Sequence, residues 1–213
     1  MRLRRGPLGP RSGGSRGCSP RQALAHGWLM GVRVVLVRHG QPDGTWGFDP
    51  DPGLDVRGHE QARAVAELLA SLGPLPIIVS PLRRTRETAA PLAARWGVEP
   101  GVEPGVGELV APLNPRPDHA MWLRSLMTGH GADSHDVMKP FRDRVLGAIR
   151  TITTDAIVVS HFLAINAVVG AATDDDRVMC FRPAHCSRTV VEITDGQIEL
   201  VELGDEASGA ARV

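Results

Sequence analysis

Three short polar clusters hold most of the residue types in this sequence that could do chemistry. They are Arg38-His39-Gly40-Gln41, Ser80-Pro81-Leu82-Arg83-Arg84 and Ser160-His161. A guanidinium presents a planar fork of donors that matches phosphate oxygens. An imidazole held neutral by neighbouring cations keeps its lone pair and can attack phosphorus directly. Brought together, two histidines and at least two arginines would form an anion pocket with a built-in nucleophile. Yet His39 and His161 lie about 120 residues apart, so a fold has to unite them.

The segments before each cluster suggest how. Val32–Val37 (VRVVLV) is β-branched, short and ended by polar residues, and so is Ile157–Val159; both read as buried strands, with Ile77–Val79 as another. Between them, residues 57–71 place Ala62, Val65, Ala66 and Leu69 at i, i+3, i+4 and i+7, the spacing of an amphipathic helix. Ser80 at N-cap and Pro81 at N1 suit a second helix start, and Gly97 suits its end after Trp96. Short helices are expected over 118–127 and 140–152, and another after His161. Thr189–Thr194 and Ile198–Leu203 read as a hairpin across Asp195-Gly196. Residues 97–118, with five Pro and four Gly, read as loop.

Strands that alternate with helices and end in polar residues describe a single α/β domain with a mostly parallel central sheet and helices on both faces. In such sheets ligands bind beyond the carboxyl ends of the strands. All three clusters fall there, and helix starts after Ser80 and His161 would add backbone N–H groups for an anion.

Composition narrows the function classes. The formal net charge is zero, but residues 1–31 carry six Arg and no acid, which leaves the rest of the chain at about −6. A weakly acidic body does not suit nucleic acid as main partner. The best apolar stretch, Ala164–Ala172, contains Asn166 and is far short of the roughly 20 residues of a membrane span. Residues 1–29 are rich in Arg, Gly, Pro and Ser without periodicity or an apolar signal region, and are expected to be disordered or to be translated upstream of a true start at Met30. The domain is expected over 30–204, with a flexible tail over 205–213. Three cysteines in no framework spacing do not suggest a disulfide-stapled secreted domain. Cys180, His185 and Cys186 lack a second ligand pair at zinc spacing, so the cysteines read as ordinary thiols and His185, beside the final strand, as a candidate for the border of the pocket. The expected location is the cytoplasm, the expected state a monomer or dimer. His26, His59, His119 and His130 read as structural or surface residues, and His135 as part of a solvated loop. Trp46 and Phe48 are candidates for a pocket wall, and Trp122 and Leu126 for core packing.

LVRHGQ (36–41), SPLRRTRETA (80–89) and VVSHF (158–162), in that order, resemble the histidine phosphatase superfamily, also called phosphoglycerate-mutase-like. GLDVRGHEQARAVAELL (53–69) is similar to the helix that follows the first motif in that family. The resemblance covers about residues 32–203. It implies that His39 is the phosphorylated histidine, that Arg38 binds phosphate together with Arg84, the match to the family's Ser-x-Leu-x-Arg pattern with Arg83 as its rival, and that His161 helps to bind the transferring phosphoryl group. It also implies that Glu108, in GVGELVAP, is the proton donor, with Glu103 as its rival. ELVAPLNP replaces the common Gly-x-Trp-Glu-Gly, and the stretch from His39 to Leu54 lacks elements usual in glycolytic mutases. What the resemblance implies is therefore a phosphatase acting on a small phosphorylated metabolite, without metal or organic cofactor. A phosphoglycerate-mutase-type phosphotransferase, and a non-catalytic phospho-ligand or protein-binding module, are the alternatives.

Overall fold

The computed structural model describes residues 31–44, 51–109 and 134–207, with only the backbone described for 134–136. The expected extension over 1–29, the expected helix over 118–127 with Trp122 and Leu126, and Trp46, Phe48, His26, His119 and His130 lie outside these residues.

Six strands form one sheet in the order β3-β2-β4-β1-β5-β6, where β1 is Val32–Arg38, β2 Ile77–Val79, β3 Gly101–Val102, β4 Ala156–Ser160, β5 Arg188–Thr194 and β6 Gln197–Glu202. The first four run parallel, and β5 and β6 close one side antiparallel. Among the described residues four helices flank it: α1 (Val56–Leu69), α2 (Arg83–Trp96), α3 (Ser134–Arg150) and α4 (Phe162–Thr173). The period-2 alternation of a strand explains the layering. Val34, Leu36 and Val158 pack with Phe141, Val145 and Ile149 of α3 and with Ile165 and Val168 of α4. Their neighbours Val35, Val37, Ile157 and Val159 face the other way, onto Val65, Ala66 and Leu69 of α1 and Ala89, Leu92 and Ala93 of α2. A sheet covered on both faces has uniformly apolar central strands, and β4 is buried at all five positions.

Register brings the clusters together. Arg38 pairs with Ser160 and Val79 with Val159, so β1, β2 and β4 end level with one another. Polar residues far apart in sequence therefore meet at one edge.

Several boundaries differ from expectation. Ser80 is not an N-cap: α2 starts at Arg83 with Leu82 at the cap, and the Ser80 hydroxyl instead accepts from Leu82 N and contacts Thr85 and His161. The buried hydroxyl network outweighs the local capping preference. α3 begins at Ser134 rather than near Pro140 and so includes His135. Met138 continues the buried stripe of Phe141, Val145 and Ile149 by one turn, which carries the helix across the proline. Gly101–Val102, read as loop, is a short strand beside β2. The tight turns hold: Gly97 closes α2 at φ 65°, and Asp195 and Gly196 turn the hairpin at φ 52° and 76°. Residues 205–207 pair with residues 182–184 through an Asp205 carbonyl and an Ala207 N–H.

No helix among the described residues is long and apolar enough to cross a membrane.

Candidate active site

His39 is the first residue past β1, and its position is over-determined. Its N–H donates to Ser160 O at 3.0 Å. Its ring Nδ1 lies 2.8 Å from Gly40 O. A carbonyl can only accept, so Nδ1 carries the proton and the lone pair is on Nε2. Burial, reinforced by His161, Arg38 and Arg84, holds the His39 pKa well below the ordinary histidine range. The ring is thus a neutral imidazole with its lone pair on Nε2.

The loop that follows His39 runs very close to α1. A Cβ on Gly40 would lie 2.7 Å from Gly58 O, and one on Gly58 would lie 2.1 Å from Gln41 O. Both are far inside van der Waals contact, so the crossing needs glycine on both sides. Asp55 caps α1 through Gly58 N at 2.6 Å and also accepts from Gln41 Nε2 at 2.8 Å, which ties the nucleophile loop to the helix start.

Two guanidinium groups share this buried edge. Arg38 Nη1 donates to Pro183 O at 2.8 Å, and its Cζ lies 5.1 Å from the centroid of the Phe162 ring. Arg38 Nε is buried without a partner among the described residues. Desolvation lowers the Arg38 pKa to about 10 and moves Arg84 in the same direction, yet both remain cations at neutral pH. The Arg84 side chain is 6% exposed and lies 3.9 Å from Asp51. Arg83, by contrast, is 58% exposed and pairs with Glu87 at the surface. Of the two candidates, only Arg84 faces inward.

His161 lies with its ring centroid 5.2 Å from that of His39. Its tautomer follows from counting hydroxyl protons. Thr85 donates to Leu82 O at 2.7 Å, so the Ser80 hydroxyl donates to Thr85 Oγ1, and His161 Nε2–H donates to Ser80 Oγ at 2.7 Å. Nδ1 is left buried and without a partner among the described residues. Burial, then Arg84 and Arg38, depress the His161 pKa well below the ordinary range.

Glu108 comes to the same place from the loop after β3. Its carboxylate accepts Leu109 N at 3.0 Å and Leu163 N, in the first turn of α4, at 3.3 Å. Burial is the main influence on its pKa and raises it, against those two N–H groups and against Arg84 and Arg38. Its rival Glu103 is committed elsewhere, accepting Gly105 N at 2.6 Å as the cap of a short 3₁₀ turn. The structure therefore brings Arg38, His39, Arg84, Glu108 and His161 to one edge. A phosphate there would meet cations, a neutral imidazole and a half-buried carboxyl group whose proton is held more tightly than usual.

Other contributors were not evident from sequence. The Leu163 N–H and the carbonyl of Gly40 are main-chain groups that any residue supplies. Arg144 of α3 donates to Gly107 O at 3.0 Å and Glu108 O at 3.4 Å, pinning the loop that carries the acid. Its only sequence signal is a basic residue on the exposed side of a helix. His185 does reach the site: its Nδ1 lies 3.1 Å from His39 O and its ring centroid 5.6 Å from that of His39. Among the described residues no group of three or more His, Cys, Asp or Glu side chains is arranged to hold a metal ion.

Comparison with known proteins bears on the family and the fold. The family model of the histidine phosphatase superfamily (branch 1) matches residues 34–206. A glucosyl-3-phosphoglycerate phosphatase of Mycolicibacterium vanbaalenii is 44% identical over 69 residues, covering 30% of this chain and 31% of that protein. A probable phosphoglycerate mutase of Serratia proteamaculans is 28% identical over 183 residues, covering 74% of this chain and 84% of that one. The chain spans 15 to 34% of the length of four mycobacterial relatives matched at 44 to 46% identity. The solved structure of a mycobacterial glucosyl-3-phosphoglycerate phosphatase superposes with a TM-score of 0.66 at 22% identity, over 83% of this chain and all of that one; at that identity the likeness is one of fold.

Proposed function

The chain belongs to the histidine phosphatase superfamily, branch 1, and on that premise we propose that it hydrolyses a small phosphomonoester through a phosphohistidine on His39. The observation that carries this reading is the neutral His39 ring, its lone pair fixed on Nε2 by the bond to Gly40 O, beside half-buried Arg38 and buried Arg84.

Hydrolysis takes two displacements at phosphorus. His39 Nε2 attacks in line while the bond from phosphorus to the ester oxygen breaks, and the Glu108 proton passes to that oxygen. Water then attacks the phosphohistidine, Glu108 takes its proton, and the P–N bond breaks to return neutral His39 and release phosphate. Arg38 and Arg84 hold the equatorial oxygens and spread the transition-state charge, which is usually the largest contribution to such a reaction; His161 joins them once the phosphate dianion draws a solvent proton onto its Nδ1. The Gly40 carbonyl steadies the imidazolium character that His39 acquires when phosphorylated. The positive charge comes from side chains, so no step is routed through a metal or organic cofactor.

A second reading is kept alive by the mutase relative, which aligns over most of both chains. A phosphotransferase would return the phosphoryl group to product instead of to water. A panel of phosphorylated metabolites, including 3-phosphoglycerate, glucosyl-3-phosphoglycerate, phosphoserine and sugar phosphates, separates the two. The phosphatase reading expects stoichiometric release of inorganic phosphate from at least one member. Isomerised product without released phosphate would favour the phosphotransferase, and neither across the panel would count against both.

A further inference from the structure

The loop between α4 and β5 brings a third imidazole to the nucleophile, and neither hydrolysis step uses it. His185 Nδ1 lies 3.1 Å from the carbonyl oxygen of His39. Because that oxygen can only accept, Nδ1–H is the donor. The His39–Gly40 peptide is gripped on its other side too: Gly40 N donates to Thr88 Oγ1 at 2.9 Å, and Thr88 in turn donates to Arg84 O at 2.6 Å. One peptide plane is thus clamped at its oxygen by His185 and at its nitrogen by Thr88. That plane decides where Gly40 O lies, and Gly40 O sets the tautomer and ring orientation of His39.

We infer that His185 is a positioning residue for the nucleophile, acting through the His39 carbonyl rather than through substrate. This rests on the reading of His39 as nucleophile. The His185 ring also packs 5.6 Å from that of His39, centroid to centroid, and so restricts its swing. Burial beside Arg38 brings the His185 pKa to about 4, so near neutral pH it adds no positive charge that would repel Arg38. The loop itself does not depend on this side chain. Cys186 N donates to Arg38 O at 3.0 Å, Arg38 N donates to Ser187 O at 3.2 Å, and Pro183 O accepts from the Arg38 guanidinium. Removing the imidazole should therefore leave the loop docked and the phosphate-binding cations in place.

The two amide side chains separate donor placement from bulk. In His185→Asn the amide nitrogen can occupy the place of Nδ1, whereas in His185→Gln it falls nearer that of Nε2. His185→Phe keeps a ring without a donor. Phosphoenzyme formation should be followed in single turnovers with nitrophenyl phosphate, and affinity with inorganic phosphate. Small displacements of a reacting group cost up to about a hundredfold. The expected result is a tenfold to hundredfold slower phosphorylation in the Gln and Phe variants, about threefold or less in Asn, and phosphate affinity within about twofold throughout. Equal rates for Asn and Gln, or a loss of phosphate affinity that matches the loss of rate, would overturn the inference. If the wild-type enzyme formed no phosphohistidine at His39, the underlying reading would fail instead, and the two failures are distinguishable.

Discussion

At pH 7 a solvent-exposed histidine is already mostly neutral, and burial among cations carries His39 further in that direction while burial raises Glu108. The proposed nucleophile therefore stays neutral to lower pH than usual, and the proposed acid stays protonated to higher pH. For an alkyl phosphate, kcat/KM should fall on the acid side as His39 takes up a proton and on the alkaline side as Glu108 loses one. A nitrophenolate needs little help in leaving, so phosphoenzyme formation from nitrophenyl phosphate should lack the alkaline limb. General acid help is typically worth about 10²–10⁴-fold. Glu108→Gln should lose about that much on alkyl phosphates, lose far less in the burst from nitrophenyl phosphate, and abolish the alkaline limb. Equal losses on both would mean that Glu108 only positions the phosphate or its loop. At this scale the sequence was informative where a reactive side chain directly follows a buried strand, as for Arg38, His39 and His161. Arg84 could be separated from Arg83 only by pattern, and the structure separates them by burial. Glu108 rested on resemblance alone, because its loop has no periodicity and its anchors, Leu163 N and Leu109 N, are main-chain groups.

Among the elements, α1 packs tightly against the site loop, since its Gly58 touches the Gln41 backbone two residues past His39, the proposed nucleophile. Gly58→Ala would force a Cβ against Gln41 O. It should cost about 1–3 kcal/mol of stability, as overpacking does, and should slow phosphorylation by moving the His39 loop. Gly147, in the interior of α3, is the matched control: a Cβ there meets nothing within 4 Å. Gly147→Ala should stabilise by up to about 1 kcal/mol through helix propensity and leave activity unchanged. Denaturant unfolding and single-turnover rates on the two variants check both outcomes; similar behaviour would contradict the close-packing account. Apolar periodicity made α1 legible, since Ala62, Val65, Ala66 and Leu69 are all buried. It failed at the start of α3, where the proline masked a further helical turn, and at β3, where two residues between prolines are too short to carry a pattern. Ser80 misled for another reason. Its hydroxyl fits a cap in isolation, but the fold commits it to His161.

For the whole molecule, gathering neutral histidines among cations ties stability to pH. His39 and His161 are depressed well below the ordinary value, and His185 sits at about 4. A group depressed on folding contributes stability that is present above its unfolded pKa near 6.5 and is lost as pH falls toward the folded value. In phosphate-free buffer, Tm should therefore drop on acidification from pH 7 to 5. Glu108, raised on folding, acts in the opposite sense, but it is common to wild type and variant. His161→Gln keeps a donor for Ser80 and removes one such histidine, so its Tm should fall less steeply over that range; parallel curves would contradict the burial account of His161. The sheet order that unites these groups was only partly legible. Parallel α/β architecture follows from the alternation of strands and helices, whereas the level register of β1, β2 and β4 emerges only in three dimensions. That register matters because it brings the His39 ring, its lone pair on Nε2, to the same edge as His161 and the arginines. The most direct measurement is brief reaction with phosphate-labelled nitrophenyl phosphate, an alkaline quench that preserves phosphohistidine, and mapping of the label. The account predicts label on His39 and none in His39→Ala. Label on His161, or undiminished phosphate release from His39→Ala, would contradict it.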